Sequence, residues 1–263
     1  MTKPRISVVQ YLNTVPLIWG MLHGEQQCKY ELSFTTPARC ADAVRAGEAD
    51  VGIIPSIDYQ RIDGLRIVSG VSIAANSEVK SVLLLSNVPA ESVRTLAADN
   101  SSRTSVALVR ILLEKFYLRR VEITSKDPEP DEMLKRADAA LVIGDPALAY
   151  RGPATHVYDL SSEWRRFTGL PFVFAFWAGR EEALLEERGA DLRNSRDYGL
   201  AHINQIAAEC APKYRMTPEE VKVYLTWNID YNLNEDHRQG LGLFYQLARE
   251  LGVISEVRDL EFV

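Results

Sequence analysis

The sequence is poor in the side chains that carry most strong chemistry. Of 263 residues, three are cysteine and four are histidine. Cys28, Cys40 and Cys210 are odd in number and lack CxxC spacing, which argues against a disulfide framework or a zinc site and favours a reducing compartment. His23, His156, His202 and His237 lie in helical or loop contexts with no nearby nucleophile and no partner at metal-ligand spacing. There is no GxGxxG, no GxxxxGK[ST] and no HExxH, so nothing calls for a nucleotide, a metal or an organic cofactor. Basic residues are outnumbered, 30 against 36 acidic, giving 30 − 36 = −6, without the basic stripe of a nucleic-acid binder. No apolar run approaches bilayer length. Residues 1–5 lead straight into the strand-like Ile6–Val9, without the apolar core of a signal peptide. The expectation is a cytoplasmic protein with no membrane or nucleic-acid partner.

What is present is ordinary in bulk. A hydrophobic fraction of 46% in a chain of this length supports large cores. Short apolar strands alternate with amphipathic helices, the pattern of an α/β protein. Strands are expected over Arg5–Gln10, Tyr30–Thr35, Asp50–Ser56, Leu65–Ala74, Ser81–Ser86, Val121–Ser125 and Ala139–Ile143. Helices are expected over Thr14–Leu22, Pro37–Gly47, Asp131–Ala137, Glu181–Arg188, Arg193–Ala211, from Thr217 to about Tyr231, and His237–Leu251. Ala49-Asp50 before the strand ending at Pro55 is echoed by Ala137-Asp138 before the strand ending at Gly144-Asp145. One α/β unit used twice, with a crossover, is the organisation this implies.

The densest polar signal is Ser101-Ser102-Arg103-Thr104-Ser105, placed directly before the apolar-periodic run Val106–Leu113. One hydroxyl suffices to cap a helix. Four hydroxyls and an arginine exceed that need, and with free backbone N–H groups they suit a carboxylate or phosphate. The same pattern also fits an over-polar cap. Further neutral donors follow the strands: Tyr11, Asn13 and Thr14 after the first, Ser56 after the third, then Ser81, and Gly144-Asp145. Asn13 and Asp145 fit N-caps as well as site residues, and Ser81 fits a turn. Open α/β sheets bind ligands beyond the carboxyl ends of their strands, where these loops would lie. Such a set orients and stabilises an anion better than it performs strong acid–base chemistry.

Tyr11–Leu17, Ala49–Ser56, Ser101–Ser105, Gly144-Asp145 and Thr168–Phe174, in this order, resemble the chorismate dehydratases, which open the futalosine route to menaquinone. Tyr231-Asn232-Leu233 and Gly240-Leu241 extend the resemblance to the C-terminal helices, while Val15 stands where the family is expected to carry arginine. The resemblance implies a two-lobed periplasmic-binding-protein type II-like α/β fold with a central ligand cleft. One discontinuous lobe would hold residues 1–80 plus about 175–263, and the other about 81–174. It implies loss of water from chorismate, with the substrate's own enolpyruvyl carboxylate as base. Asn13 would then be catalytic, and Tyr11, Ser56, Ser81, Ser102, Arg103, Thr104, Ser105, Gly144 and Asp145 would bind substrate. Lobe closure would exclude water. No cofactor or metal is implied. The competing functions are a solute-binding protein, a ligand sensor, and the sister dihydroxynaphthoate synthase, which would need a histidine in the cleft.

Overall fold

A computed structural model describes residues 3–184 and 186–263. The chain divides into two compact units. The first comprises residues up to Ala74, then Val173–Asn234 and Arg258–Val263; the second comprises Ala75–Phe172 and Glu235–Val257.

The first unit is built on strands β1 (Arg5–Val9), β2 (Glu31–Thr35), β3 (Val51–Pro55) and β4 (Leu65–Ala75), with helices α1 (Val15–His23), α2 (Pro37–Ala46) and α3 (Ser56–Tyr59) between them. The second carries β5 (Val82–Ser86), β6 (Thr95–Asp99), α4 (Thr104–Ile111), β7 (Glu122–Lys126), α5 (Pro130–Leu134), β8 (Ala139–Ile143), α6 (Gly144–Leu148), β9 (His156–Asp159) and α7 (Leu160–Thr168). Strand β10 (Phe172–Arg180) then enters the first sheet, followed by α8 (Glu186–Ala201), α9 (Ile203–Tyr214), α10 (Pro218–Val223) and α11 (Glu235–Glu250).

The two sheets have the same plan. Their orders are β2-β1-β3-β10-β4 and β7-β6-β8-β5-β9. In each, a first strand pairs in parallel with its two neighbours: β1 with β2 and β3, and β6 with β7 and β8. In each, the next strand outward is antiparallel, β10 against β3 and β5 against β8. The expected duplication is therefore present in the architecture, and the repeated Ala-Asp has a physical cause. Asp50 Oδ2 accepts the Arg5 backbone N–H at 2.7 Å. Asp138 Oδ2 accepts those of Arg94 and Thr95 at 2.9 and 3.0 Å. Each aspartate satisfies amides at the start of the first strand of its own sheet, where the ladder leaves donors without a partner.

Central strands are apolar on both faces, as parallel strands covered by helices must be. Ile53 and Ile54 of β3, with Phe176 and Trp177 of β10, form the first core. Leu85, Ala97, Met133, Ala140 and Val142 form part of the second. Residues 261–263 extend the first sheet beyond β4, with Ile67 N–H bonded to Glu261 O at 2.8 Å and Val263 N–H to Ile67 O at 2.9 Å.

Several expectations are corrected. Residues 235–257 group with the second unit, not with the lobe containing residues 1–80, because α11 packs on α4 and Phe244 meets Trp164 and Phe172 edge-on. Residues 75–80 also join the second unit, and Val173 and Phe174 the first. The expected helix Arg193–Ala211 is two helices, interrupted at His202. The expected helix Glu181–Arg188 contains Leu185, which lies outside the described residues; Glu181–Ala183 is a 3-10 turn and α8 begins at Glu186. The Thr217 cap is as expected and forms a full capping box with Glu220.

Candidate active site

In the first unit, the candidates lie at the carboxyl ends of the adjacent parallel strands β1 and β3. Beyond β1 the chain makes a 3-10 turn over Leu12–Thr14 before α1, with half-buried Tyr11 leading in. The cap positions of the turn and of α1 are Tyr11 and Thr14, and neither side chain makes a capping bond. Asn13 thus caps neither element. Its Oδ1 accepts from Thr14 Oγ1 at 3.4 Å, a weak contact. Its backbone oxygen receives the Tyr231 hydroxyl at 2.9 Å. Ser56, fully buried at the end of β3, donates to Val173 O at 2.8 Å and thereby ties β3 to β10.

The second unit gathers its candidates at the same end of its sheet. Ser81 precedes β5, opposite Gly144 at the end of β8, and Gly144 N–H donates to Ser81 O at 2.7 Å. Gly144 has φ +64°, a left-handed conformation that a side chain would strain. Asp145 follows in the first turn of α6, whose N-cap is Ile143, so Asp145 is not the cap. Beyond β6, the Ser102 hydroxyl accepts the Ser105 N–H at 3.3 Å, a long capping contact across the start of α4. Ser102, Thr104 and Ser105 are buried and Arg103 is half-buried. The N-cap position itself is Arg103, whose side chain makes no capping bond.

The duplication relates the two groups. The loop from β1 to α1, with Asn13, and the loop from β6 to α4, with Ser102–Ser105, occupy corresponding places in the repeated order. Each unit by itself collects neutral donors where open α/β sheets bind ligands. Among the described residues, no group of three His, Cys, Asp or Glu side chains could hold a metal ion.

Three supporting residues escaped the reading of the sequence. Tyr231 is buried, and burial pushes its phenol well above the ordinary value, so it remains a donor to Asn13 O. Asp159 caps α7 through Ser161 N–H and Ser162 N–H, both at 3.0 Å, while its other oxygen accepts Val79 N–H at 3.0 Å and Lys80 N–H at 2.7 Å. It thus anchors the segment entering Ser81; burial raises its carboxyl pKa, against the hydrogen bonds from Ser162, Lys80 and Val79. Asp99, at the end of β6, accepts from Ser101. The local signal for Asp159 was an aspartate two residues before Ser161-Ser162, an N-cap pattern; Tyr231 stands in the family resemblance, but nothing local ties it to Asn13.

A family model described as menaquinone biosynthesis matches residues 4–250. The chorismate dehydratase of Thermus thermophilus is 30% identical, over 94% of this chain and 95% of that protein. The chain belongs to the chorismate dehydratase family of menaquinone biosynthesis. A family member from Campylobacter jejuni, also a chorismate dehydratase, is 28% identical over 68% of this chain and 69% of its own. Among solved structures, a protein from Archaeoglobus fulgidus has a TM-score of 0.78 at 19% identity, covering 96% of this chain and 98% of its own. The periplasmic aliphatic sulphonate binding protein of Escherichia coli has a TM-score of 0.65 at 14% identity, covering 99% and 96%. At these identities the structural likeness speaks to the fold, which is that of the periplasmic binding proteins.

Proposed function

We propose that the chain is a chorismate dehydratase acting in the cytoplasm on the futalosine route, converting chorismate to 3-[(1-carboxyvinyl)oxy]benzoate and water. The observation that carries this reading is the near end-to-end match to a chorismate dehydratase. The character of the candidate residues fits it. Elimination removes the ring C3 proton and the C4 hydroxyl; the C3–H electron pair becomes a ring π bond and the ring is aromatised. The driving force resides in the substrate, so the protein must mainly hold a reactive conformer.

In this reading the substrate's enolpyruvyl carboxylate takes the C3 proton. Asn13 directs its carboxamide to the departing hydroxyl or the charge that develops there. Ser102, Arg103, Thr104 and Ser105 receive a substrate carboxylate. Tyr11, Ser56 and Ser81 add polar contacts, and Gly144-Asp145 shape the approach. Ser56 donates its own proton to Val173 O, so its contribution to substrate is as an acceptor. Asp145 has a structural role, because a carboxylate beside a dianion is unfavourable.

The test is the ultraviolet spectrum of chorismate mixed with the protein and with Asn13→Ala. The unaltered protein should give the aromatic product, and N13A should bind chorismate but turn it over at least about a hundredfold more slowly. Full activity in N13A would refute the role of Asn13. Binding without any aromatised product would instead favour a carboxylate-binding protein.

A further inference from the structure

We propose that Asp99 is a positioning residue, holding the loop between β6 and α4 in the form that receives a substrate carboxylate; this rests on the reading that Ser102–Ser105 bind one. Asp99 ends β6 and is 1% exposed. Its Oδ1 accepts the Ser101 backbone N–H at 2.8 Å and the Ser101 hydroxyl at 2.6 Å. Its backbone oxygen accepts Ser102 N–H at 3.2 Å, and Ser102 Oγ in turn accepts Ser105 N–H at 3.3 Å. A continuous chain of hydrogen bonds therefore runs from the rigid strand end to the first turn of α4. Two donors converge on the single acceptor Oδ1, one from the backbone and one from the side chain of Ser101, so the loop is tied to the strand end at two points.

The arrangement carries a cost that capping does not explain. Asp99 Oδ2 is buried without a hydrogen-bond partner, and burial raises the carboxyl pKa against the two Ser101 hydrogen bonds on Oδ1. A buried, half-satisfied acid is expensive. Its return is that Ser101 is committed to Asp99 through both its backbone N–H and its hydroxyl, which fixes the path of the chain into Ser102–Ser105. A substrate-binding loop held within a few tenths of an ångström loses less entropy on binding.

The experiment compares Asp99→Ala, Asp99→Asn, Ser101→Ala and Arg103→Ala by chorismate kinetics, with thermal melts to verify folding. D99A should raise KM about tenfold or more while kcat stays within about threefold, since the loop binds and does not react. D99N keeps an acceptor at Oδ1 and should stay within about threefold of the unaltered KM. An unchanged KM in D99A, or a D99N as impaired as D99A, overturns the proposal. If D99A does not fold, S101A decides: a KM rise of about threefold supports positioning, and no rise refutes it. R103A separates the two claims. If R103A leaves KM unaltered, the carboxylate reading of the loop fails and the proposal falls with it; if R103A raises KM and D99A does not, the positioning role alone fails.

Discussion

The Tyr231 hydroxyl donates to the backbone carbonyl of Asn13 at 2.9 Å, across 218 positions of sequence. The donor lies in the segment after α10, which is itself bonded to β4 through Ser72 N–H and Tyr231 O at 3.1 Å, and the acceptor lies in the turn before α1, so a segment near the C-terminus helps fix a residue near the N-terminus. Tyr231→Phe removes the donor and leaves the ring. The expected cost is about 1 kcal/mol of stability, because the Asn13 carbonyl loses a buried partner. The expected loss in kcat is about tenfold with little change in KM, because the carboxamide drifts from its working position. Denaturant melts and chorismate kinetics check both.

Gly144 should tolerate alanine poorly. At φ +64° a Cβ costs about 1–2 kcal/mol. The Gly144 N–H also bonds Ser81 O at 2.7 Å, so strain there is passed to the start of β5. Gly144→Ala should lower stability by that amount and raise KM, measured by urea unfolding and by chorismate titration.

Asp159 links two segments through four backbone amides. Asp159→Ala leaves the α7 start uncapped and frees Val79 and Lys80. A lost N-cap costs about 1 kcal/mol, and the Val79 amide, left without its acceptor, raises the total to about 2 kcal/mol, while the exposed Lys80 amide can turn to water. Asp159→Ser, which can still cap α7 but cannot reach both sides, should recover about 1 kcal/mol. Equal stability of the alanine and serine variants would contradict the assignment.

The paired aspartates that start the two sheets make acid sensitivity testable. The Arg5 side chain holds Asp50 below its ordinary value of 3.8, and the Arg94 and Thr95 amides do the same for Asp138. A depressed carboxyl stabilises fully above its unfolded value, and that contribution is lost as pH falls through the folded value. The doubly substituted D50N/D138N protein should melt lower at neutral pH and show a flatter decline of Tm below about pH 4. Asp99 and Asp159, whose carboxyls are raised by burial, act in the opposite sense and are untouched by the substitutions.

Much of the fold was legible because it rests on local patterns. The strands Arg5–Val9 and Ala139–Ile143, the helix closed by left-handed Gly47 and the Thr217 cap follow from apolar runs, glycine and capping chemistry. The repeated Ala-Asp exposed the duplication because both aspartates do the same work on a neighbouring strand. Strands β6 and β10 were not read. Phe172–Gly179 is buried on both faces, so it lacks the alternation that marks a half-exposed strand, and it belongs to a sheet begun far back in the chain at Arg5. The loops carrying Asn13 and Ser102–Ser105 could be found from neutral donors after strands. Their supports could not: Tyr231 reaches Asn13 through tertiary structure alone, and Asp99 ends a strand that the sequence pattern does not mark, with nothing local to announce its burial. The place of residues 235–257 was missed for the same reason, since an amphipathic helix does not announce which core it covers.

The most direct measurement is the identity, by NMR and mass spectrometry, of what purified protein makes from chorismate supplied alone. The account predicts complete conversion to 3-[(1-carboxyvinyl)oxy]benzoate with the enolpyruvyl group intact and one molecule of water released. Chorismate recovered unchanged from a saturated, folded protein, or a product that has lost its enolpyruvyl group, would contradict it.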